Sequence, residues 1–222
     1  MPVAARHNRG MRVVSGIAGG IPLVSPKYDL RPTMDRVRGA IFDSLGEAVI
    51  GSRVLDLFAG AGGLGIEALS RGATAATFVE KEELGVEAIR KNLAKTRLKG
   101  ATVHRLDIFS YLHRLAPGEG FDFIFADPPY AKKREDRDFA AELLGDPAVA
   151  AALAPGGLLV LEKLPGLRVP FPEERWELLR ERRYGATEVA FFARRQSGPE
   201  GERSDGGESG EVASEPTSRH SC

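Results

Sequence analysis

Cysteine is almost absent from this chain, a single residue at Cys222, which excludes an internal disulfide framework and a cysteine-based zinc site. The four histidines, His7, His104, His113 and His220, are scattered without ligand spacing, so no metal is expected. No apolar run approaches the length of a bilayer span, and the opening M-P-V-A-A-R-H-N-R-G lacks the apolar centre of a secretory signal. The expected compartment is the cytoplasm. Internal repeats are missing at any period of roughly twenty to fifty residues. Net charge is missing too, but that zero is a cancellation. Residues 197–222 hold six acids against Arg203 and Arg219, which leaves residues 1–196 with 29 bases against 25 acids, a net +4. Such a balance suits a polyanionic partner without demanding one. The terminal stretch is nearly all glycine, serine, proline and acids, with Val212 and Ala213 as its only hydrophobic pair. It has too little apolar surface to offset its ordering entropy and is expected to be a disordered acidic tail.

What is present is the composition of a globular protein, 42% hydrophobic and 28% charged over 222 residues, enough for one main core. Strand patterns fall at 53–58, 76–80, 102–106, 121–126, 157–162, 176–183 and 188–193, and helical patterns at 64–70, 83–96, 108–115 and 137–153, the last interrupted at Asp146-Pro147. Alternation at this spacing predicts an α/β fold, a mostly parallel seven-stranded sheet covered on both faces. The last two strands, joined by a short turn near Gly185, should form an antiparallel hairpin at one edge. Upstream, 12–17 and 21–24 read as a small hairpin around Gly19-Gly20, and 33–45 as a helix capped by Thr33. Val37, Ile41 and Leu45 share one face of that helix, which should pack on the sheet. The expected organisation is a flexible 1–10, a hairpin-and-helix extension over 11–50, a core over 51–196 and the tail over 197–222.

Two segments carry chemistry. V-L-D-L-F-A-G-A-G-G-L-G, residues 54–65, is an apolar strand breaking into a glycine-rich turn and a helix. Gly60, Gly62 and Gly65 satisfy G-x-G-x-x-G, a pattern often tied to dinucleotides and ambiguous alone. Asp56, four residues before the first glycine, tilts the reading toward a cofactor bearing an ammonium and a sulfonium, S-adenosylmethionine. Glu80, at the end of the next strand, can accept from both hydroxyls of a ribose diol. Asp107 in L-D-I-F can accept from the adenine amine while Ile108 packs on the ring, and it is equally suited to cap the helix that follows. Phe58 belongs to this cofactor loop as a shaping residue.

The second segment, A-D-P-P-Y, residues 126–130, ends another apolar strand with a carboxylate, two rigid prolines and a ring. An exocyclic amine on a nucleobase is a poor nucleophile because its lone pair is delocalised. A carboxylate (Asp127) and a main-chain carbonyl (Pro128) accepting both N–H groups would localise that pair and aim it. Pro128 and Pro129 stiffen the corner. Tyr130 is placed to stack on the base, worth about 1–3 kcal/mol by substitution.

With these residues assembled, the chain resembles a class I S-adenosylmethionine-dependent methyltransferase of the amino-methylating kind, whose Rossmann-like sheet ends in the same antiparallel pair. The upstream runs R-V-V-S-G from Arg12 and L-R-P-T-M-D-R-V-R-G-A-I-F-D-S-L from Leu30 narrow the likeness to the bacterial 16S rRNA guanine-N2 methyltransferase family of the RsmD type, over roughly 10–195. The resemblance implies methylation of a guanine N2 in 16S rRNA or the small ribosomal subunit, by a monomer needing no metal and no membrane. Arg12, Arg31, Arg36 and Arg38 are then candidate RNA contacts, with surface solubility or pairing to Asp35 as their plainer reading. One departure stands out: where the family hairpin carries bases after its glycine, this chain has Gly19-Gly20-Ile21-Pro22-Leu23. Adenine-N6 methylation of DNA or RNA shares D-P-P-Y and is the rival activity; a non-catalytic RNA-binding assembly factor is the rival class.

Overall fold

The computed structural model describes residues 10–25, 34–116, 120–130 and 136–195. The acidic tail, residues 1–9, Thr33 and Arg31 lie outside them, so the expectations placed on those positions are not addressed by it.

Six α-helices and seven strands follow in order among the described residues: α1 (Met34–Leu45), β1 (Arg53–Leu57), α2 (Gly63–Ser70), β2 (Ala75–Glu80), α3 (Glu83–Thr96), β3 (Ala101–Arg105), α4 (Ile108–Leu112), β4 (Phe121–Ala126), α5 (Phe139–Gly145), α6 (Pro147–Ala151), β5 (Leu153–Lys163), β6 (Trp176–Tyr184) and β7 (Thr187–Arg194), with a short 3-10 helix (Gly46–Val49) after α1. The strands form one sheet in the order β3-β2-β1-β4-β5-β7-β6. β1 to β5 are mutually parallel, and β7 runs antiparallel to β5 and to β6. The antiparallel edge pair is the hairpin expected from the sequence. None of the described helices is long and apolar enough to cross a membrane.

Strand alternation divides the core in two. Val54, Phe78, Phe123, Phe125 and Val160 face one side of the sheet, where they bury Val37, Ile41, Phe42 and Leu45 of α1 together with Ile66 of α2 and Ile89 of α3. Leu55, Leu57, Ile124, Leu159 and Leu161 face the other side and bury residues of α4, α5 and α6. The α1 stripe thus packs as its periodicity dictates, with Ile41 fully buried. The break at Asp146-Pro147 also holds: Asp146 ends α5 and caps α6, its carboxylate accepting from Ala148 N at 2.8 Å, with Pro147 in the first turn.

The upstream hairpin forms around Gly19-Gly20 as expected, but it is short. One antiparallel bridge, Arg12 to Pro22, joins its arms, with Val13 N donating to the Ile21 carbonyl at 3.0 Å, Leu23 N to the Met11 carbonyl at 2.8 Å and Gly20 N to the Val13 carbonyl at 2.8 Å. Its remaining backbone donors go to the helices. Val14 and Ser15 N–H donate to the Glu67 carboxylate at 2.7 and 2.9 Å, Ile17 N–H to the Ser70 carbonyl at 2.8 Å, Ala18 N–H to Ser70 Oγ at 3.0 Å, and Val24 N–H to Asn92 Oδ1 at 2.7 Å. α2 and α3 thus take the donors that the opposite arm does not. At Gly16, with φ +81°, an added Cβ would lie 1.9 Å from the Ser70 carbonyl oxygen, so this turn is fitted against the end of α2.

Strand order reverses between β1 and β4, since β1 continues to β2 on one side and β4 to β5 on the other. In a doubly wound sheet the carboxyl ends of strands at that reversal open a crevice. The site residues lie there.

Candidate active site

A cavity of about 520 Å³ opens at this reversal, and its wall contains Asp56, Phe58, Gly60, Glu80, Asp107, Ile108, Asp127, Pro128 and Pro129. Two motifs about sixty residues apart in sequence therefore meet in one space because β1 and β4 are neighbours, with Leu57 paired to Ala126.

The glycine loop is built around two carboxylates. Asp56 is 2% exposed, and its Oδ2 accepts from Gly65 N at 2.8 Å. Burial pushes its carboxyl up to about 8; the Gly65 N–H opposes this, while the charges of Asp127 and Glu80 add to it. Glu80 takes one backbone donor on each oxygen, Gly60 N at 2.7 Å and Glu82 N at 2.8 Å. That clasp ties the turn after β1 to the turn after β2. Gly60 and Gly62 have φ of +54° and +80°, the left-handed region open to glycine. Gly62 and Gly65 do not line the cavity. They pack behind it: a Cβ on Gly65 would lie 2.3 Å from the Phe78 ring. Their work is to seat α2 against β2.

Asp107 caps α4, one oxygen accepting from Phe109 N and Ser110 N at 3.1 Å each. The cap uses Oδ1, so both roles read for this residue fit together. Phe58 holds φ +55°, and its ring meets Phe139 edge to face at 5.3 Å, which gives the wall an aromatic corner. Tyr130 is half-buried and is not among the lining residues; the stacking surface expected of it is not part of the wall.

These residues fit a sulfonium cofactor. A buried carboxylate held protonated by desolvation is a site short of one cation, and Asp56 is that group. The clasped Glu80 and the outward oxygen of Asp107 suit a ribose and an amine. Gly85 makes room beside Glu80, since a Cβ there would lie 2.7 Å from Glu80 Cγ.

Arg38 corrects a sequence expectation. It is 3% exposed, its Nη2 donating to Asp35 Oδ1 at 2.7 Å and to the Arg12 carbonyl, and its Nε lies 3.5 Å from Glu67 Oε2. A guanidinium so enclosed is an internal brace, not a phosphate contact; the pairing with Asp35 raised as its plainer reading is what the fold adopts. It also lines the cavity. Arg36 is exposed and Arg12 half-buried, so of the three basic candidates among the described residues Arg36 keeps the most open surface.

Sequence reasoning missed Met11, Ser25, Arg38, Arg137 and Glu162 as wall residues. Arg137 lies over the rings of Phe139 and Phe109 at 4.6 and 5.0 Å and donates to Glu142 at 2.6 to 2.9 Å. Glu162 had a legible signal. It ends an apolar strand, as Glu80 does and as Asp127 nearly does. No group of three metal-ligating side chains occurs among the described residues.

A family model described as conserved hypothetical protein 95 matches residues 11–193. YlbH of Bacillus subtilis (strain 168) is 37% identical over 188 residues, 83% of this chain and all of that one. Ribosomal RNA small subunit methyltransferase D of Escherichia coli (strain K12) is 32% identical over 189 residues, 85% of this chain and 92% of the relative. Among solved structures, the 16S rRNA N2 G1207 methyltransferase of Thermus thermophilus, in complex with AdoMet and guanosine, has a TM-score of 0.58 at 26% identity, covering 79% of this chain and 46% of that one.

Proposed function

Since the chain belongs to the family described as conserved hypothetical protein 95, we propose that it transfers a methyl group from S-adenosylmethionine to the exocyclic N2 of a guanine in 16S rRNA. The observation that carries this reading is the shared cavity: Asp127 and Pro128 stand in one wall with Asp56, Glu80 and Asp107. The relative named for ribosomal RNA small subunit methylation, aligned over 92% of its length, supports the substrate class. So does the guanosine-bound neighbour.

Asp56 balances the cationic end of the cofactor, Glu80 accepts from the ribose, and Asp107 with Ile108 receives the adenine. S-adenosylmethionine supplies an electrophilic methyl carbon on its sulfonium. Asp127 and the Pro128 carbonyl accept the two N–H groups of the target amine and so turn its lone pair out of the ring plane. Pro128 has no N–H of its own, and a proline follows it, which fixes that carbonyl against rotation. As the N–C bond forms and the S–C bond breaks, the nitrogen becomes cationic. Asp127 takes its proton, directly or through water. The chemistry calls for neither a covalent enzyme intermediate nor a metal, and we read the enzyme as a cytoplasmic monomer.

Mass spectrometry of 16S rRNA from cells lacking this protein tests the proposal. One guanine N2-methyl group should disappear and return with the wild-type gene. Loss of an adenine methyl group, or no change, would replace the reading.

A further inference from the structure

Three amino bases can offer an exocyclic amine to D-P-P-Y, so the motif does not choose between them. The residue across the next strand can. Leu161 of β5 pairs with Ala126 of β4, and both face the α4–α6 side of the core. By strand alternation the following residues, Asp127 and Glu162, lie toward the opposite face, the side of Phe125 and Val160. Both line the cavity. Two carboxylates on strands that lie about 4.8 Å apart thus open into one cavity.

Guanine carries two kinds of donor side by side on its Watson–Crick edge, the N2 amine and the N1–H. Adenine and cytosine place a bare ring nitrogen, an acceptor, beside their amine. An ionised carboxylate has no donor. Next to the group that holds the amine, it accepts from guanine N1–H and repels the ring lone pair of the other two bases. We propose that Glu162 is the specificity-determining residue of this site, accepting the guanine N1–H while Asp127 and Pro128 hold N2. This rests on the methyl-transfer reading above and adds the choice of base to it.

The test uses 2-aminopurine, which keeps the N2 amine and replaces the N1–H with an acceptor. Small subunits are reconstituted with 16S rRNA carrying guanine or 2-aminopurine at the methylated position, and transfer of labelled methyl groups is followed with the full-length protein. The wild type should favour guanine by at least about 100-fold in kcat/KM, because a site built around a donor rejects the analogue lacking it. Glu162→Gln offers an amide N–H to the bare nitrogen, so it should lose on guanine and gain on 2-aminopurine, closing the ratio to within about tenfold. Calorimetry with S-adenosylmethionine should give the same affinity for variant and wild type.

Equal wild-type rates on both particles would overturn the proposal with no variant needed. A fall by the same factor on both in Glu162→Gln would overturn it too, as that is the mark of a merely structural residue. Should Glu162→Gln fail to fold, Glu162→Asp keeps the charge and must keep the preference for guanine. No transfer to guanine particles by the wild type would instead reject the underlying activity.

Discussion

Replacing Asp56 by Asn should move stability and cofactor binding in opposite directions. The substitution keeps the shape and the oxygen that accepts from Gly65 N but removes the charge. Burial first, then the Asp127 and Glu80 charges, push the Asp56 carboxyl from 3.8 to about 8, against the Gly65 N–H. At pH 7 the folded protein therefore holds it mostly protonated while the unfolded chain ionises it. The roughly three units between the unfolded value and pH 7, at about 1.4 kcal/mol each, set an upper bound on the order of 4 kcal/mol against folding. The sign follows from a raised acid: its stabilisation is complete below 3.8 and is lost as pH climbs toward 8. In urea unfolding at pH 7, Asp56→Asn should be the more stable protein, with the gain vanishing near pH 4. A bound cation works the other way, because it favours the carboxylate. Binding of S-adenosylmethionine to the wild type should release nearly one proton at pH 7, read by calorimetry in buffers of different ionisation enthalpy. Affinity should rise about tenfold from pH 6 to pH 7. Asp56→Asn should bind more weakly and show neither effect. A variant no more stable than wild type at pH 7, or wild-type binding without proton release, would refute the assignment of Asp56 as the cation's partner.

Asp127→Ala should lower methyl transfer by a factor of about 100 or more, since it removes both an amine acceptor and the proton acceptor, while rRNA binding measured by filter retention stays within a few fold; an unchanged rate removes that carboxylate from the chemistry. Gly65→Ala should cost about 1–3 kcal/mol by overpacking against the buried Phe78 ring, seen as a lower urea midpoint at constant slope, and a neutral outcome would show that α2 can slide on β2. Glu67 is fully buried and takes Val14 N, Ser15 N and Arg71 Nε. Glu67→Ala should therefore cost about 3–5 kcal/mol by leaving Arg71 Nε and the Val14 and Ser15 N–H groups without their acceptor and expose residues 11–18 to proteolysis; resistance equal to wild type would mean that Ser70 and Asn92 suffice to hold the segment.

Residues 197–222 pull the composition to neutrality, so the net charge of the whole chain conceals the +4 of residues 1–196. Strand and helix periodicities in 53–193 were legible because each strand is flanked by polar turns and each helix has a clean apolar stripe. The ends were less so. The helix pattern at 108–115 stops at Leu112 and β5 begins at Leu153 rather than at residue 157, as pairing with β4, down to Phe121 with Leu153, overrides local preference. The hairpin before α1 was legible because glycines between apolar runs are the usual sign of one. Nothing local reveals that the donors of Val14, Ala18 and Val24 end on Glu67, Ser70 and Asn92, more than fifty residues away.

Residue order alone determined the parallel sheet, the glycine turn with its carboxylate and the proline corner that holds an amine, because those depend on alternation, φ and chemical type within a few residues. Tertiary structure decided which charges meet. Arg38 and Arg36 sit two positions apart on one helix, yet one is sealed against Asp35 and Glu67 and the other is exposed. Glu162 reaches the cavity only because β5 lies beside β4 in register. Charge is read from a letter; its partner, its burial and hence its use come from strand order and packing, which bring together residues that local sequence keeps far apart.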